Sequence, residues 1–500
     1  GLYCNMSGFV GMDYSGKTYG LCTCDACRKA YLTATGLDVP TVFDPRKPEV
    51  MKYIGFQSGM GRKLREKMNA VLKAISPEIA VDKIDYFRTE SHTDIGDPVW
   101  IYSASSNSRL ASGPARNHVS DNASADFIGF RYRESAVSPG VLELRQWQNL
   151  ANSGNVSAFF LGRMDNHPDR AYYEGTKRVF DFHRSHEEEL RGLKSEANVL
   201  LVWKNQAGRS DPEAYGWVRA LTESHIPFDE TRSAGLFPEM LENKKLVILA
   251  DAKDLGQSQA EMIDAFCESG GFVIASGDSG VRGRADSLRC LGIKQITEKS
   301  KNLMSSVFSV EKEDADTFVR SAVSPRIVPG TEIVNAEYEE TATGYLTLLY
   351  EPPYGPPEVC YAKEWRAQSG VTVNSFGRGK GVYIPWNTGS FYHAEGYTNT
   401  LNFMRDVLFG IYGLSDIAPS LHPSVELVRA GKDGKHSLAL INASGYFGNS
   451  FFDPIPMTKI EIAVSGAKNI KCLNGGTVTA ADDKIILDKL DRFEMIIWED

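Results

Sequence analysis

Apolar and polar positions over the first 195 residues alternate between two rhythms. Short apolar runs with charged ends read as strands at Leu2-Tyr3-Cys4, Ile84 to Glu90, Phe127 to Glu134 and Ser157 to Gly162. Between them, Cys27 to Thr35, Met60 to Ile75 and Glu174 to Leu193 carry apolar residues at the three- and four-residue spacing of a helix with one buried face. Pro139 to Asn152 reads as a further helix, with proline at its first turn, where the missing amide hydrogen costs nothing. Strand–helix alternation predicts parallel strands joined by helical crossovers. A closed eight-fold barrel of such units takes about 250 residues, more than this region holds.

The pattern restarts near residue 196. Asn198 to Trp203, Ile226 to Phe228, Leu246 to Ala250 and Gly271 to Ala275 are continuous apolar runs, separated by helices at Glu213 to Ser224 and Gln257 to Ser269. This predicts an open doubly wound sheet, interrupted by an insertion over 300–370 and completed by a strand at Gly381 to Pro385 and a helix at Asn399 to Tyr412. From 419 onward only short strands with turns between them remain, as in a small β-sandwich. The expected fold class is therefore α/β. A partial (β/α)8 TIM barrel (1–195) precedes a doubly wound domain (196–418) and a β-sandwich (419–500).

Composition narrows the function classes. The chain is 42% hydrophobic and 24% charged, with a net charge of −9. An acidic balance argues against nucleic acid as a partner, because phosphate binding needs a basic surface. No apolar run reaches the ~18 residues of a spanning helix, so no membrane partner is expected. Of the eight cysteines three form one tight group and the rest are scattered singly in apolar contexts, a pattern suited to a reducing compartment, which predicts a cytoplasmic address. The group, Cys22-x-Cys24-x-x-Cys27, has the close spacing with which a loop wraps a structural zinc. Three reduced thiols on a loop is the plain alternative.

The order barrel, doubly wound sheet, β-sandwich resembles that of the trimerising β-galactosidases (glycoside hydrolase family 42) and their uncharacterised relatives. Gly20-Leu-Cys-Thr-Cys-Asp-Ala-Cys27 is similar to the cysteine loop after the fourth barrel strand of those enzymes, and Arg145-Gln-Trp147 to Gly154 is similar to the helix before their last strand. Phe87-Arg88-Thr89-Glu90-Ser91 and Ala439 to Gly445 look like segments of a branch of hypothetical glycosyl hydrolases that includes α-L-fucosidases. The resemblance implies hydrolysis of a terminal galactoside or fucoside by paired carboxylates, without an organic cofactor, in a bacterial-type homo-oligomer such as a trimer. It also implies that Leu2 to Cys4 is the fourth strand, with three strands and the fourth zinc ligand lying upstream of Gly1. The middle domain resembles the class I glutamine amidotransferase fold. Its strand-to-helix turn, Ser276-Gly-Asp-Ser-Gly280, holds no cysteine, which implies an oligomer-forming or site-covering module.

Two carboxyl groups must flank a glycosidic bond, about 5–5.5 Å apart for retention or roughly 6.5–9.5 Å for inversion. In a barrel they belong at the carboxyl ends of strands. Glu90 and Glu134 meet that test, followed by Asp165 and Asp13. Arg88, Arg131 and Arg133 offer either glutamate an ordinary salt bridge, but the same cation would hold a nucleophile ionised. Asn5, His92, Arg131 and Tyr132 carry sugar-binding chemistry, as does Glu358 on the proline-stiffened loop from Tyr350. That loop either roofs the site or is an ordinary surface loop. Trp147, Tyr172 and Tyr173 read as core, and His183 with His186 as a solvated helix face. The β-galactosidases have Asn-Glu where this chain has Asn5-Met6, and an arginine stands nearest their nucleophile position. These departures support a second reading, a non-catalytic carbohydrate-binding or assembly protein; a third, an inert fragment, follows from the partial barrel.

Overall fold

The computed structural model describes the chain apart from residues 1–8, 10, 12, 14–16, 45–46, 83–84, 94, 96–98, 113–118, 130–131, 206–210, 281–287, 304, 350–354, 357, 361–364, 482 and 500. The expected strand Leu2 to Cys4 and the residues Asn5 and Arg131 lie outside the described residues.

The amino-terminal third contains α1 (Asp25–Thr35), α2 (Pro48–Ile75), β1 (Tyr86–Thr93), α3 (Ser103–Ser112), β2 (Val119–Ile128), β3 (Tyr132–Ala136), α4 (Pro139–Ala151), β4 (Ala158–Phe159), α5 (Tyr173–Ser185) and α6 (Glu187–Leu190). Strands β1, β2 and β4 are parallel, with Ser91 opposite Ser124 and Ser124 opposite Ala158. Strand β2 is buried along nearly its whole length although it reads Val-Ser-Asp-Asn-Ala-Ser-Ala-Asp. Asn122 and Ser124 of this strand are held by amide partners from the covering helices. Asn122 Nδ2 donates to Asn149 Oδ1 at 2.8 Å, and Asn149 Nδ2 donates to the Asn122 carbonyl at 2.8 Å. Asn107 Nδ2 donates to Asn122 Oδ1 at 3.1 Å. A buried polar group that is hydrogen-bonded in this way recovers the cost of leaving water.

The expected strand from Phe127 to Glu134 divides in two. Gly129, at φ +66°, turns the chain after Ile128, and β3 runs back antiparallel to β2. The expected helix from Glu174 to Leu193 is also broken, at His186, between α5 and α6.

The middle of the chain follows as β5 (Lys194–Ser195), β6 (Val199–Trp203), α7 (Pro212–Glu223), β7 (Phe228–Arg232), β8 (Leu246–Ala250), α8 (Gln257–Glu268), β9 (Phe272–Ser276), β10 (Ile293–Ser300), β11 (Val307–Ser309), β12 (Arg326–Ile327), β13 (Ile333–Tyr338), β14 (Ala342–Leu349), β15 (Trp365–Phe376), β16 (Gly379–Ile384), α9 (Thr388–Glu395) and α10 (Thr398–Arg405). A parallel core in the order β16-β9-β8-β6-β7 is extended beyond β16 by antiparallel β15, β14, β11 and β12. The insertion expected at 300–370 thus widens the sheet. Strands β6 and β8 are buried at every residue, which is why they read as unbroken apolar runs. Helices α7 and α9 touch backbone to backbone: a Cβ on Gly216 would stand 1.8 Å from the Gly389 carbonyl oxygen. That approach lets the buried Glu213 carboxylate accept from the backbone amides of Gly389 at 3.1 Å and Ser390 at 2.7 Å.

The carboxyl-terminal segment is all β: β17 (Val425–Lys432), β18 (Lys435–Asn442), β19 (Tyr446–Phe447), β20 (Ser450–Phe451), β21 (Met457–Ala463), β22 (Lys468–Cys472), β23 (Val478–Ala481), β24 (Lys484–Leu490) and β25 (Phe493–Glu499). Its strands form the sheets β22-β25-β18-β17-β5 and β21-β24-β23. Leu438, Leu440 and Ile496 of the first share one core with Ile460, Ile462 and Ile485 of the second. The three regions meet at Arg109 of α3. Its guanidinium donates to Glu230 of β7 at 2.9 Å and to Asn152 at 2.9 Å, pairs with Glu426 of β17, and lies 4.2 Å from the Phe228 ring. Among the described residues no helix is long and apolar enough to cross a membrane.

Candidate active site

Parallel strands joined by helices gather function at their carboxyl ends. Alternate residues of β1 face opposite ways. Thr89 and Ser91 turn toward the helices, reaching Asn122 Oδ1 at 3.1 and 3.3 Å. Arg88, Glu90 and His92 share the other face. Arg88 Nη1 pairs with Asp121 Oδ2 at 2.7 Å, and His92 Nε2 lies 2.7 Å from Glu90 Oε2. The Glu90 carboxylate is one-third exposed, whereas the imidazole is 9% exposed and packs near Phe127 and Phe159, with centroids at 5.9 and 6.4 Å. A half-open carboxylate is thus steered by a histidine that is itself wedged between aromatic rings.

The backbone beneath this pair is fixed from behind. Asn107 Nδ2 donates to the Glu90 carbonyl at 3.1 Å. The buried Arg145 of α4 donates to the His92 carbonyl at 2.8 Å and to Thr93 Oγ1 at 3.0 Å. Arg145 therefore serves the strand ends from within the sequence segment that resembled a barrel helix.

Glu134 lies on the reversed strand β3, where Tyr132 to Glu134 and Ser135 are solvent-exposed. It ends no parallel strand, because the chain has already turned at Gly129. Tyr132 is 53% exposed. Asp165, on the loop after β4, is exposed and chelated by the Arg163 guanidinium at 3.0 and 2.5 Å, which holds its carboxyl below the usual range. Glu358 is exposed on its loop. Asp13 accepts from Tyr19 Oη at 2.8 Å.

Sequence reasoning passed over one carboxylate. Asp126, near the carboxyl end of β2, is 1% exposed, and its two oxygens have no hydrogen-bond partner among the described residues. His167 Nε2 stands 3.8 Å from Oδ2, and the Tyr172 hydroxyl is adjacent. Burial raises the Asp126 carboxyl, a shift that Tyr172 and His167 offset in part. In the sequence it is the aspartate of Ala125-Asp126-Phe127, one residue before the expected strand Phe127 to Glu134.

The three cysteines do converge. Cys22, Cys24 and Cys27 bring their Sγ atoms within 4.8 Å of one another, with Cys22 at 3.6 Å from both others. Thiolates bound at about 2.3 Å to one tetrahedral ion are spaced in that way, so the donor set fits zinc. Backbone and side-chain hydrogen bonds from Cys27 lower the Cys24 thiol, while burial and its neighbours push Cys27 up to about 11. The Tyr53 hydroxyl, donating to the Cys22 carbonyl at 2.6 Å, ties the loop to α2.

No protein-family profile and no curated protein matches the sequence. Solved structures do. The chain is similar over 96% of its length to α-L-fucosidase isoenzyme 2 of Paenibacillus thiaminolyticus, covering 75% of that chain at 18% identity and a TM-score of 0.71. It is similar to the β-galactosidase of Bacillus circulans sp. alkalophilus (96% of this chain, 78% of that one, 15% identity, TM-score 0.70) and to that of Rahnella sp. R3 (96%, 77%, 15%, TM-score 0.65). The chain thus shares its α/β fold with glycosidases of the β-galactosidase and α-L-fucosidase kinds.

Proposed function

We propose that the protein is a glycoside hydrolase that removes a terminal galactosyl or fucosyl unit, with Glu90 as one of its two carboxylates. The observation that carries this reading is the Glu90–His92 pair in the carboxyl half of β1, in a chain with a glycosidase fold. Glu90 presents an accessible carboxylate, and His92 fixes its direction. The three βα units are read as the later part of a TIM barrel, the doubly wound region as an amidotransferase-like module without its own catalysis, and the last region as a β-sandwich. Asn5, Arg131, Tyr132, Asp165 and Glu358 are assigned to sugar contact, and Glu134 to the second carboxylate, on the resemblance alone. Cys22, Cys24 and Cys27 would hold a structural zinc that stiffens the loop before α1. A homo-oligomer, trimeric or larger, and a cytoplasmic address belong to the same reading.

The exposed position of Glu134 on β3 favours a second reading, a carbohydrate-binding protein that has lost the paired carboxylates. Hydrolysis of aryl α-L-fucosides and β-D-galactosides separates the two. The enzyme reading expects turnover that Glu90→Gln lowers at least ~100-fold, the order of loss for a general acid or base. Undiminished turnover in Glu90→Gln rejects Glu90, and sugar binding without turnover establishes the second reading.

A further inference from the structure

A cleft of about 780 Å³ lies between the outer faces of α4 and α5 and the turns of the carboxyl-terminal sheets. Its volume falls within the ~300–1,000 Å³ of ordinary ligand sites. It is separate from Glu90. On α4, Arg145 points inward to the strand ends, whereas Glu143 and Trp147, one turn apart on the opposite side, line the cleft.

The packing behind the cleft is aromatic and rigid, with Trp147 3% and Phe182 7% exposed. Trp147 stacks on Phe493 at 4.2 Å with 7° between planes and meets Phe182 edge-to-face at 5.3 Å. His186 continues this surface, 4.7 Å from Phe182. One wall is built around Glu143, which is only 4% exposed. It accepts from Arg178 Nε at 3.2 Å and Nη2 at 2.7 Å, and from Trp147 Nε1 at 3.3 Å, while Arg492 Nη1 stands at 3.8 Å. Arg492 is held from its other side by Asp453 at 2.6 Å. Gly175 makes room for this carboxylate, since a Cβ there would stand 2.9 Å from Glu143 Oε2.

A buried ion pair adds little net stability over apolar packing, so two domains need no such device to adhere. What the arrangement does provide is a pair of guanidiniums fixed at the edge of an open cleft. The charged side chains of the lining nearly cancel: Arg178 and Arg492 face Glu143, Asp181 and Asp491. A near-neutral balance disfavours a phosphate or a polyanion. Fixed donors, carboxylate acceptors and the accessible apolar rings of Pro454 and Pro456 match a ligand whose hydroxyls both donate and accept beside C–H faces.

We propose that this cleft is a non-catalytic site for a neutral oligosaccharide, held outside the proposed catalytic centre by the barrel helices and the carboxyl-terminal sheets together. The site does not depend on Glu90. Binding of lactose and of a fucosylated lactose to the full chain is measured by saturation-transfer NMR in a Glu90→Gln background, so that neither sugar is consumed. Ser185→Trp fills the cleft from an exposed helix end, and His186→Ala removes one polar edge. Each is expected to weaken oligosaccharide binding about tenfold, the loss of one or two hydrogen bonds and some contact area. In the Glu90-containing chain, the same two substitutions leave aryl-glycoside turnover and the urea midpoint unchanged. Equal binding in both variants, or no binding by the unsubstituted chain, overturns the proposal. Displacement of the sugar by inorganic phosphate also overturns it and marks an anion site instead.

Discussion

Arg109 offers the sharpest test of how the three regions depend on one another. It sits on α3 and is 6% exposed. Its partners Glu230 and Glu426, from β7 and β17, are 0% and 2% exposed. Arg109→Met keeps most of the stem volume and removes the cation, which leaves two carboxylates facing each other out of water. Breaking a buried pair in this way costs about 3–5 kcal/mol. The loss does not double, because one carboxyl can take up a proton, and Glu230 is already raised by burial with Arg109 opposing that shift. At roughly 2–4 °C per kcal/mol for a large domain, the melting temperature should fall by about 10 °C. The sign of the pH dependence follows. Without Arg109 the folded Glu230 carboxyl rises further above its unfolded value, so folding favours its protonated form. The variant is then closest to the parent in acid, and its deficit grows as pH climbs through the folded value. Adding Glu230→Gln should restore much of the loss at neutral pH. Thermal unfolding across pH 4.5–8, with limited proteolysis between the regions, reads both effects. A neutral-pH loss below about 1 kcal/mol, or one that ignores both pH and Glu230→Gln, would refute the reasoning.

Asp126→Asn is expected to stabilise the fold at neutral pH by about 1–3 kcal/mol, the cost of an unpaired buried group. Burial lifts this carboxyl above its ordinary 3.8, so the parent loses stability as pH rises through the folded value and the gain should vanish in acid; urea titrations at two pH values check it. Purified protein should carry about one zinc per chain, lost in Cys24→Ser, and metal analysis below about 0.2 zinc per chain argues against the site. Gly216→Ala should cost several kcal/mol, roughly 4 or more, because the new methyl meets the backbone of Gly389 and neither helix can yield; soluble yield and hydrogen exchange in α7 report it.

Where burial was apolar on both faces, the fold could be read from the sequence. Strand β8 occupies the expected Leu246 to Ala250, β6 starts one residue later than expected, and β9 is shifted along by one residue. Helix α8 ends one residue early, at Glu268. Strand β2 was invisible because its buried Asn122 and Ser124 are held by hydrogen bonds to the Asn149 side chain of α4, which no hydrophobic period records. The candidate site was legible in half. Glu90 and His92 came from one strand, so their two-residue spacing placed them on one face. Glu134 was misplaced because Gly129 reverses the chain inside a run that looked continuous, and local spacing carries no record of such a turn. Arg109, Arg145 and Asp126 gained their importance from partners distant in sequence, some of them in other regions of the fold.

The seating of β16 beside β9 has a consequence for synthesis. Lys380 to Ile384 pair in parallel with Phe272 to Ser276, and all the chain between Ser276 and Gly379 must be made before that pairing is complete. At ~5–20 residues per second, the nascent sheet waits on the order of ten seconds with the edge of β9 unpaired. An unpaired apolar edge invites association with other chains. The ribosome-bound intermediate that ends near residue 300 is therefore the species in which a chaperone would most improve the yield of folded protein, and a slowed codon run between there and residue 384 would lower it.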